Sequence, residues 1–338
     1  MRWVVAQPGA SFSVEDVYAG LVEALRELGQ TVIEFNLDDR LNFYSQAHFE
    51  LGGQYLPAVD SSQAIELAVN GLYATLYKTR PDVLLVVSGF FVPKGVYELA
   101  QTYGTKTVIV HTESPYEDDR QRTVAAWADL NYLNDPTNLD SFPAGTRWMP
   151  HAHRTSVHFA GEGRDDYRCD LAFIGTGYPS RIAFFESMDL TGLDVMLGGN
   201  WQALADNSTL RPFLANEPGE CVDNVETAEV YRSARMGINV YRREAQRPEL
   251  SGAWACGPRE IEQAACGLPY LRDPGGEGDE LFPMLPTFSS PGDASELLRW
   301  WLGHPEQRAE AALKAQAAVA GRTFRNNAVE LLRHLERE

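Results

Sequence analysis

The chain has 338 residues, 44% of them hydrophobic and 22% charged, with a formal net charge of −18. That length exceeds what one core usually fills and predicts two domains, while the composition leaves no long disordered stretch. The acidic balance argues against a grip on duplex DNA through its phosphates, no apolar run approaches membrane-span length, and four cysteines with no CxxC pair argue against zinc.

Arg2–Ala6 reads as a short buried strand that starts without the charged and apolar regions of a signal peptide, which predicts a cytoplasmic protein. Val14–Gly29 has helical periodicity with Gly29 as its cap, and Thr31–Phe35 is the next strand. The segment Leu41–Asp60 carries Phe43, Tyr44, Phe49 and Tyr55, which suit either stacking on a ligand or a core. Ser61–Lys78 is helical, with Ser61 or Ser62 as the expected N-cap. Then follow strand Val83–Val87, helix Gly95–Tyr103 and strands Thr107–His111 and Leu130–Leu133. Continuous Val/Ile/Leu strands separated by helices indicate a parallel sheet covered on both faces.

The pattern restarts after the polar segment Ala160–Asp166. Strand Cys169–Ile174, helix Ser180–Met188, strand Leu193–Leu197, helix Thr227–Ala234 and strand Met236–Val240 succeed one another. Helix Pro258–Cys266, strand Pro269–Leu271 and three closing helices, Ala294–Leu302, Pro305–Ala320 and Thr323–Arg337, complete the array. The expectation is an α/β protein with an N-terminal Rossmann-like domain at 1–155 and a second at 156–322. The last helix, 323–338, is free to pack back on the first domain.

Three places carry chemistry. In doubly wound sheets, ligands bind beyond the carboxyl ends of the strands, where a helix N-terminus offers N–H groups to an anion. The turn Gln7–Ser13 has Gly9 for close backbone approach, although it reads equally as a plain βα connection. The turn Gly175-Thr-Gly-Tyr-Pro-Ser-Arg181 brings Gly175, Gly177, Tyr178 and the cation Arg181 to the same kind of position. It lacks the third glycine of GxGxxG, and no acidic residue follows at a ribose-binding position, so a nicotinamide enzyme is disfavoured. The third place is Gly257-Pro-Arg-Glu-Ile-Glu-Gln-Ala-Ala-Cys-Gly267, followed by Leu268-Pro269.

This last segment resembles the GT-B glycosyltransferases, in particular the group-1-like branch typified by spore-maturation (CgeB-type) proteins. That branch carries an Arg-x-x-Glu-Ala-x-Ala-Cys-Gly-x-Pro pattern. Arg259, Glu262, Cys266, Gly267 and Pro269 match it, with Gln263 in place of the first Ala. The resemblance covers most of residues 169–338 and includes Tyr231–Asn239 and Asp273–Gly278. It departs at Trp254, where many GT-B enzymes have a second Glu, and in a divergent Tyr241–Ala255.

The resemblance implies two Rossmann-like domains facing a cleft. It also implies a nucleoside diphosphate sugar as donor substrate, no metal and no other cofactor. Glu262 would bind the ribose hydroxyls, with Arg259 and Asn239 near the diphosphate. In the first domain Thr107–His111 looks like the strand that ends in a His facing the donor sugar. His111 would orient a hydroxyl or relay a proton, and in an inverting enzyme Glu113 or Asp118 in the acidic loop after it would be the base. The acceptor stays open among a protein hydroxyl, a glycan, a small molecule and a modified base. The alternatives are a nucleotide-sugar epimerase or hydrolase, or a non-catalytic nucleotide-sugar-binding protein.

Overall fold

The computed structural model describes residues 1–9, 14–46, 48–244 and 253–336. It divides into two compact units, Met1–Pro150 with Phe324–Glu338, and His151–Thr323. The division therefore falls at Pro150, five residues before the break expected from composition.

The first unit opens with β1 (Arg2–Ala6), α1 (Glu15–Glu27), β2 (Thr31–Phe35) and α2 (Leu37–Ser45). An antiparallel hairpin follows, β3 (His48–Leu51) and β4 (Gln54–Pro57), then α3 (Ser61–Thr79), β5 (Val83–Val87), α4 (Lys94–Thr102) and β6 (Lys106–His111). Next come α5 (Asp118–Ala125), β7 (Leu130–Leu133) and the short β8 (Arg147–Trp148). The main sheet is parallel throughout, in the order β2-β1-β5-β6-β7-β8. All five residues of β5 are buried, as a central parallel strand with both faces covered requires.

Three features differ from the reading of the sequence. The segment 41–60 holds most of α2 and the hairpin; Phe43 is exposed, and the side chains of Phe49 and Tyr55 lie outside the described residues. Asp60, not Ser61 or Ser62, caps α3, accepting from Gln63 N at 2.8 Å while Gln63 Oε1 accepts from Asp60 N at 2.9 Å. That reciprocal pair satisfies two N–H groups at the helix end, which a single serine cannot. The end of the acidic loop after β6 begins α5, whose first turn carries Asp118 and Asp119 where the helix dipole favours them.

The second unit contains β9 (Leu171–Ile174), α6 (Pro179–Glu186), β10 (Val195–Gly198), α7 (Asn224–Ser233), β11 (Met236–Asn239) and α8 (Pro258–Ala265). It continues through β12 (Tyr270–Arg272), α9 (Gly276–Leu281), α10 (Pro291–Gly303) and α11 (Pro305–Ala318). Its sheet is parallel in the order β10-β9-β11-β12. Phe173, Phe185 and Trp201 form an edge-to-face trio, fully buried beside Leu171, Ile238 and Leu271. Each such ring buried contributes about 1.5–3 kcal/mol to stability.

The closing helix, α12 (Phe324–Leu335), belongs to the first unit. Gly20 on α1 makes room for Phe324, since a Cβ there would lie 2.1 Å from the ring. Asn327 Nδ2 donates to Pro150 O at 2.9 Å, and the Tyr132 hydroxyl meets His334 Nδ1 at 2.8 Å. Among the described residues no helix is long and apolar enough to cross a membrane.

Candidate active site

In the second unit the sheet order makes β9 a switch point: the chain leaves it to β10 on one side and later returns to β11 on the other. Ligands in open parallel sheets bind outside the carboxyl ends of the strands at such a point. The turn after β9 holds Gly175, Gly177 and Tyr178; β11 ends at Asn239; and α8, which connects β11 to β12, begins with Arg259 in its first turn.

Arg259 ties these pieces together. Its Nε donates to Ile174 O at 2.7 Å, its Nη1 donates to Asn239 Oδ1 at 2.8 Å, and its guanidinium lies 4.5 Å from the Phe173 ring centroid. A Cβ on Gly175 would come within 2.1 Å of Arg259 Nη2, so glycine is what lets the cation lie directly against the turn. Gly177 likewise lies against Trp201, where a Cβ would meet the indole at 2.5 Å. Asn239 is buried, and its Nδ2 has no hydrogen-bond partner among the described residues. The result is a half-buried, immobilised positive charge under a glycine turn.

Glu262 follows Arg259 on α8 and is 6% exposed. Its Oε1 accepts from Asn224 Nδ2, at the start of α7, at 3.2 Å. Glu260 serves the fold instead. It is fully buried and accepts from Gly257 N at 3.0 Å and from the Tyr241 hydroxyl. Burial pushes its carboxyl up. Glu260 thus holds the turn before α8.

Arg181 is not where a diphosphate ligand is expected. It is buried, its Nε donating to Val240 O at 2.8 Å and its Nη1 to Thr176 O at 3.0 Å, under Phe173 and Tyr178. Helix α6 begins at Pro179, which points Arg181 back into the sheet, so it braces the turn from below. Among the described residues, two further cations that the sequence reading passed over stand near this turn. Arg242 donates to the Tyr178 hydroxyl at 3.3 Å, and the exposed Arg243 pairs with Asp273 Oδ1 at 2.9 Å. Their signal was present as a basic pair shortly after β11. Residues 245–252 of the divergent segment lie outside the described residues.

Beside this turn lies an open groove of about 350 Å³, with Thr176–Pro179 on one side and Asn200 and Gln202 on the other. Glu244 stands at the N-terminus of α6, accepting from Ser180 N at 2.8 Å and Ser180 Oγ at 3.0 Å. Burial works against its charged form, but the hydrogen bonds from Ser180 outweigh it and hold the carboxyl below its usual value. A carboxylate of the chain itself thus occupies the anion-favouring end of α6.

The first unit places the other expected residues as follows. Gly9 N donates to Asp38 Oδ1 at 2.6 Å, so this N–H is spent on the chain's own carboxylate, which corrects its expected use for an anion. Burial raises Asp38 to about 6. Residues 10–13 of that turn lie outside the described residues.

His111, at the end of β6, has no exposure; its Nε2 meets Asn131 Oδ1 at 2.9 Å and its ring packs on Phe142. Asn131 Nδ2 already donates to Ala125 O, so the amide presents oxygen to the ring and the Nε2–H tautomer is required. Burial lowers His111 to about 4, which keeps it neutral at pH 7 and makes it a poor proton relay there.

Asp118 is buried, with Oδ1 accepting from Gln121 at 3.2 Å and Oδ2 from Asn138 at 2.7 Å. Both oxygens therefore fasten the loop. Glu113 is half-buried, its backbone N–H donating to Gln121 Oε1 at 2.9 Å.

Residues 181–333 match the family model described as glycosyl transferase-like. No curated protein matches the chain. Among solved structures, sucrose-phosphate synthase from Thermosynechococcus elongatus superposes with a TM-score of 0.68 at 12% identity, covering 100% of this chain and 98% of that one. An alpha-glucosyltransferase in complex with UDP and a 13-mer DNA containing an HMU base gives 0.63 at 11% identity, covering 100% of both chains. A UDP-N-acetylglucosamine 2-epimerase gives 0.57 at 15% identity, covering 100% and 97%. The likeness establishes the fold as two Rossmann-like parallel-sheet domains of the GT-B type.

Proposed function

We propose that the chain is a glycosyltransferase that moves a sugar from a nucleoside diphosphate sugar to an acceptor hydroxyl without a metal. It would belong to the branch that its Arg259–Pro269 segment resembles. The observation that carries the reading is the arrangement on α8. Arg259 is locked under Gly175 at the sheet's switch point, and the buried Glu262 follows it on the same helix. The match of residues 181–333 to the glycosyl transferase-like model supports it, and so does the UDP bound by a structural neighbour.

Transfer leaves a nucleoside diphosphate with an extra negative charge on the departing oxygen. A fixed cation and a helix N-terminus stabilise that charge more than they stabilise the bound donor, which is what lowers a barrier. Arg259 and the first turn of α8 take that role, with Arg242 beside Tyr178 and Arg243 held by Asp273. Glu262 holds the ribose. The acceptor is assigned to the N-terminal unit, where the half-buried Glu113 remains a candidate near the reacting hydroxyl and the buried His111 and Asp118 are supports.

A thermal-shift screen of UDP-, GDP-, ADP- and TDP-sugars identifies the donor, because a ligand bound only by the folded state raises the melting temperature. Labelled donor is then incubated with and without acceptors. Sugar transfer that needs an acceptor and survives excess EDTA supports the proposal. Isomerisation without acceptor identifies an epimerase, and binding without turnover a non-catalytic protein.

A further inference from the structure

His158 is a candidate ligand group outside the set above. It is 1% exposed, and its Nε2 has no hydrogen-bond partner among the described residues. Its Nδ1 accepts from Arg154 N at 3.3 Å, and its backbone N–H donates to Arg154 O at 2.7 Å. A backbone N–H can only donate, so Nδ1 carries the lone pair and Nε2 carries the proton. Burial pushes the ring down to about 3, with His153, Arg154 and Arg232 adding to the effect, so it is neutral at pH 7. The neighbouring backbone is clamped as well: Arg232 Nη1 donates to Val157 O at 2.9 Å, and its guanidinium lies 4.5 Å from the Phe159 ring centroid. His158 is therefore a fixed donor.

A ring nitrogen of His158 lies within 4.8 Å of a Glu262 carboxylate oxygen, yet Nε2 makes no direct bond. Hydrogen bonds of about 2.8 Å on either side of one tetrahedral oxygen span roughly 4.6 Å. A hydroxyl between the two would donate its proton to Glu262 and accept one from His158. Its three bonding directions would then be used in the sense that the two side chains demand.

We propose that His158 and Glu262 together grip one hydroxyl of a ribose, so that the site discriminates between ribonucleotides and the analogue lacking that hydroxyl. This rests on the reading of Glu262 as the ribose carboxylate. A buried donor left without its acceptor is costly, and discrimination arises from that penalty.

The test is calorimetric binding of uridine, adenosine and guanosine diphosphates, each in ribo, 2′-deoxy and 3′-deoxy form, to the wild type, His158→Phe, His158→Gln and Glu262→Gln, with folding checked by circular dichroism. The expected result is that the wild type loses roughly tenfold or more in affinity for one of the two deoxy forms. His158→Phe shrinks that ratio by roughly tenfold, and His158→Gln, which keeps a donor, retains part of it. A ratio unchanged in folded His158→Phe and His158→Gln, with binding still dependent on Glu262, overturns this inference alone. Nucleotide binding indifferent to Glu262 as well overturns the ribose assignment with it.

Discussion

Arg259 Nη1 donates to Asn239 Oδ1 at 2.8 Å, so the helix that follows β11 is pinned to the end of that same strand. The same guanidinium reaches Ile174 O at 2.7 Å on β9, bridging both sides of the switch point. A lysine keeps the charge but lacks the rigid fork whose Nε and Nη1 reach the two acceptors from separate nitrogens. Arg259→Lys is expected to weaken nucleoside diphosphate binding by about 1–3 kcal/mol, measured by calorimetry, the size of lost charged hydrogen bonds. Affinity within twofold of wild type would reduce Arg259 to a tie.

Gly177→Ala places a methyl 2.5 Å from the Trp201 indole, which is packed in the core and has nowhere to move. The expected cost is about 1–3 kcal/mol of stability. Chemical denaturation measures it, and a midpoint equal to wild type would show that the turn can shift.

Asp118→Ala removes the acceptor for both Gln121 and Asn138. A support residue predicts lower stability by about 1–3 kcal/mol with transfer activity within tenfold of wild type. A general base predicts the reverse, intact stability and a rate lower by 10²-fold or more. Stability curves and initial rates on one preparation decide between them.

His111 sets a pH dependence. Its folded value is about 4, below the ordinary histidine value near 6.5, because burial disfavours the charged ring. The unfolded chain therefore binds the proton more readily. The stability from keeping the ring neutral is full above 6.5 and is lost as pH falls toward 4. Between pH 7.5 and 5 the loss from this group is about 2 kcal/mol. His111→Gln, measured by urea titration at both pH values, should shrink the difference by that amount. An unchanged difference would place the acid sensitivity elsewhere.

Much of the fold was legible because continuous apolar strands such as Val83–Val87 and Leu171–Ile174 fit only a parallel sheet covered on both faces. What local pattern could not reveal depends on partners distant in sequence. Helix α5, Asp-Asp-Arg-Gln-Arg-Thr-Val-Ala, is polar over its first turns and is set by Asp118 bonding Asn138. Arg181 looked like a ligand cation from its place after two glycines, but its partners Val240 O and Thr176 O appear only in three dimensions. Gly9 suited an anion until Asp38, 29 residues on, supplied one. Arg242 and Arg243 stood in plain view in a divergent segment, because a basic pair gives no sign of which side chain will meet Tyr178.

The central claim is that Glu262 takes the ribose. Calorimetry of the cognate nucleoside diphosphate with Glu262→Ala tests it most directly. The account predicts binding weaker by about 1–3 kcal/mol in a variant whose melting temperature stays close to wild type. A folded variant that binds the nucleotide as tightly as wild type would contradict it.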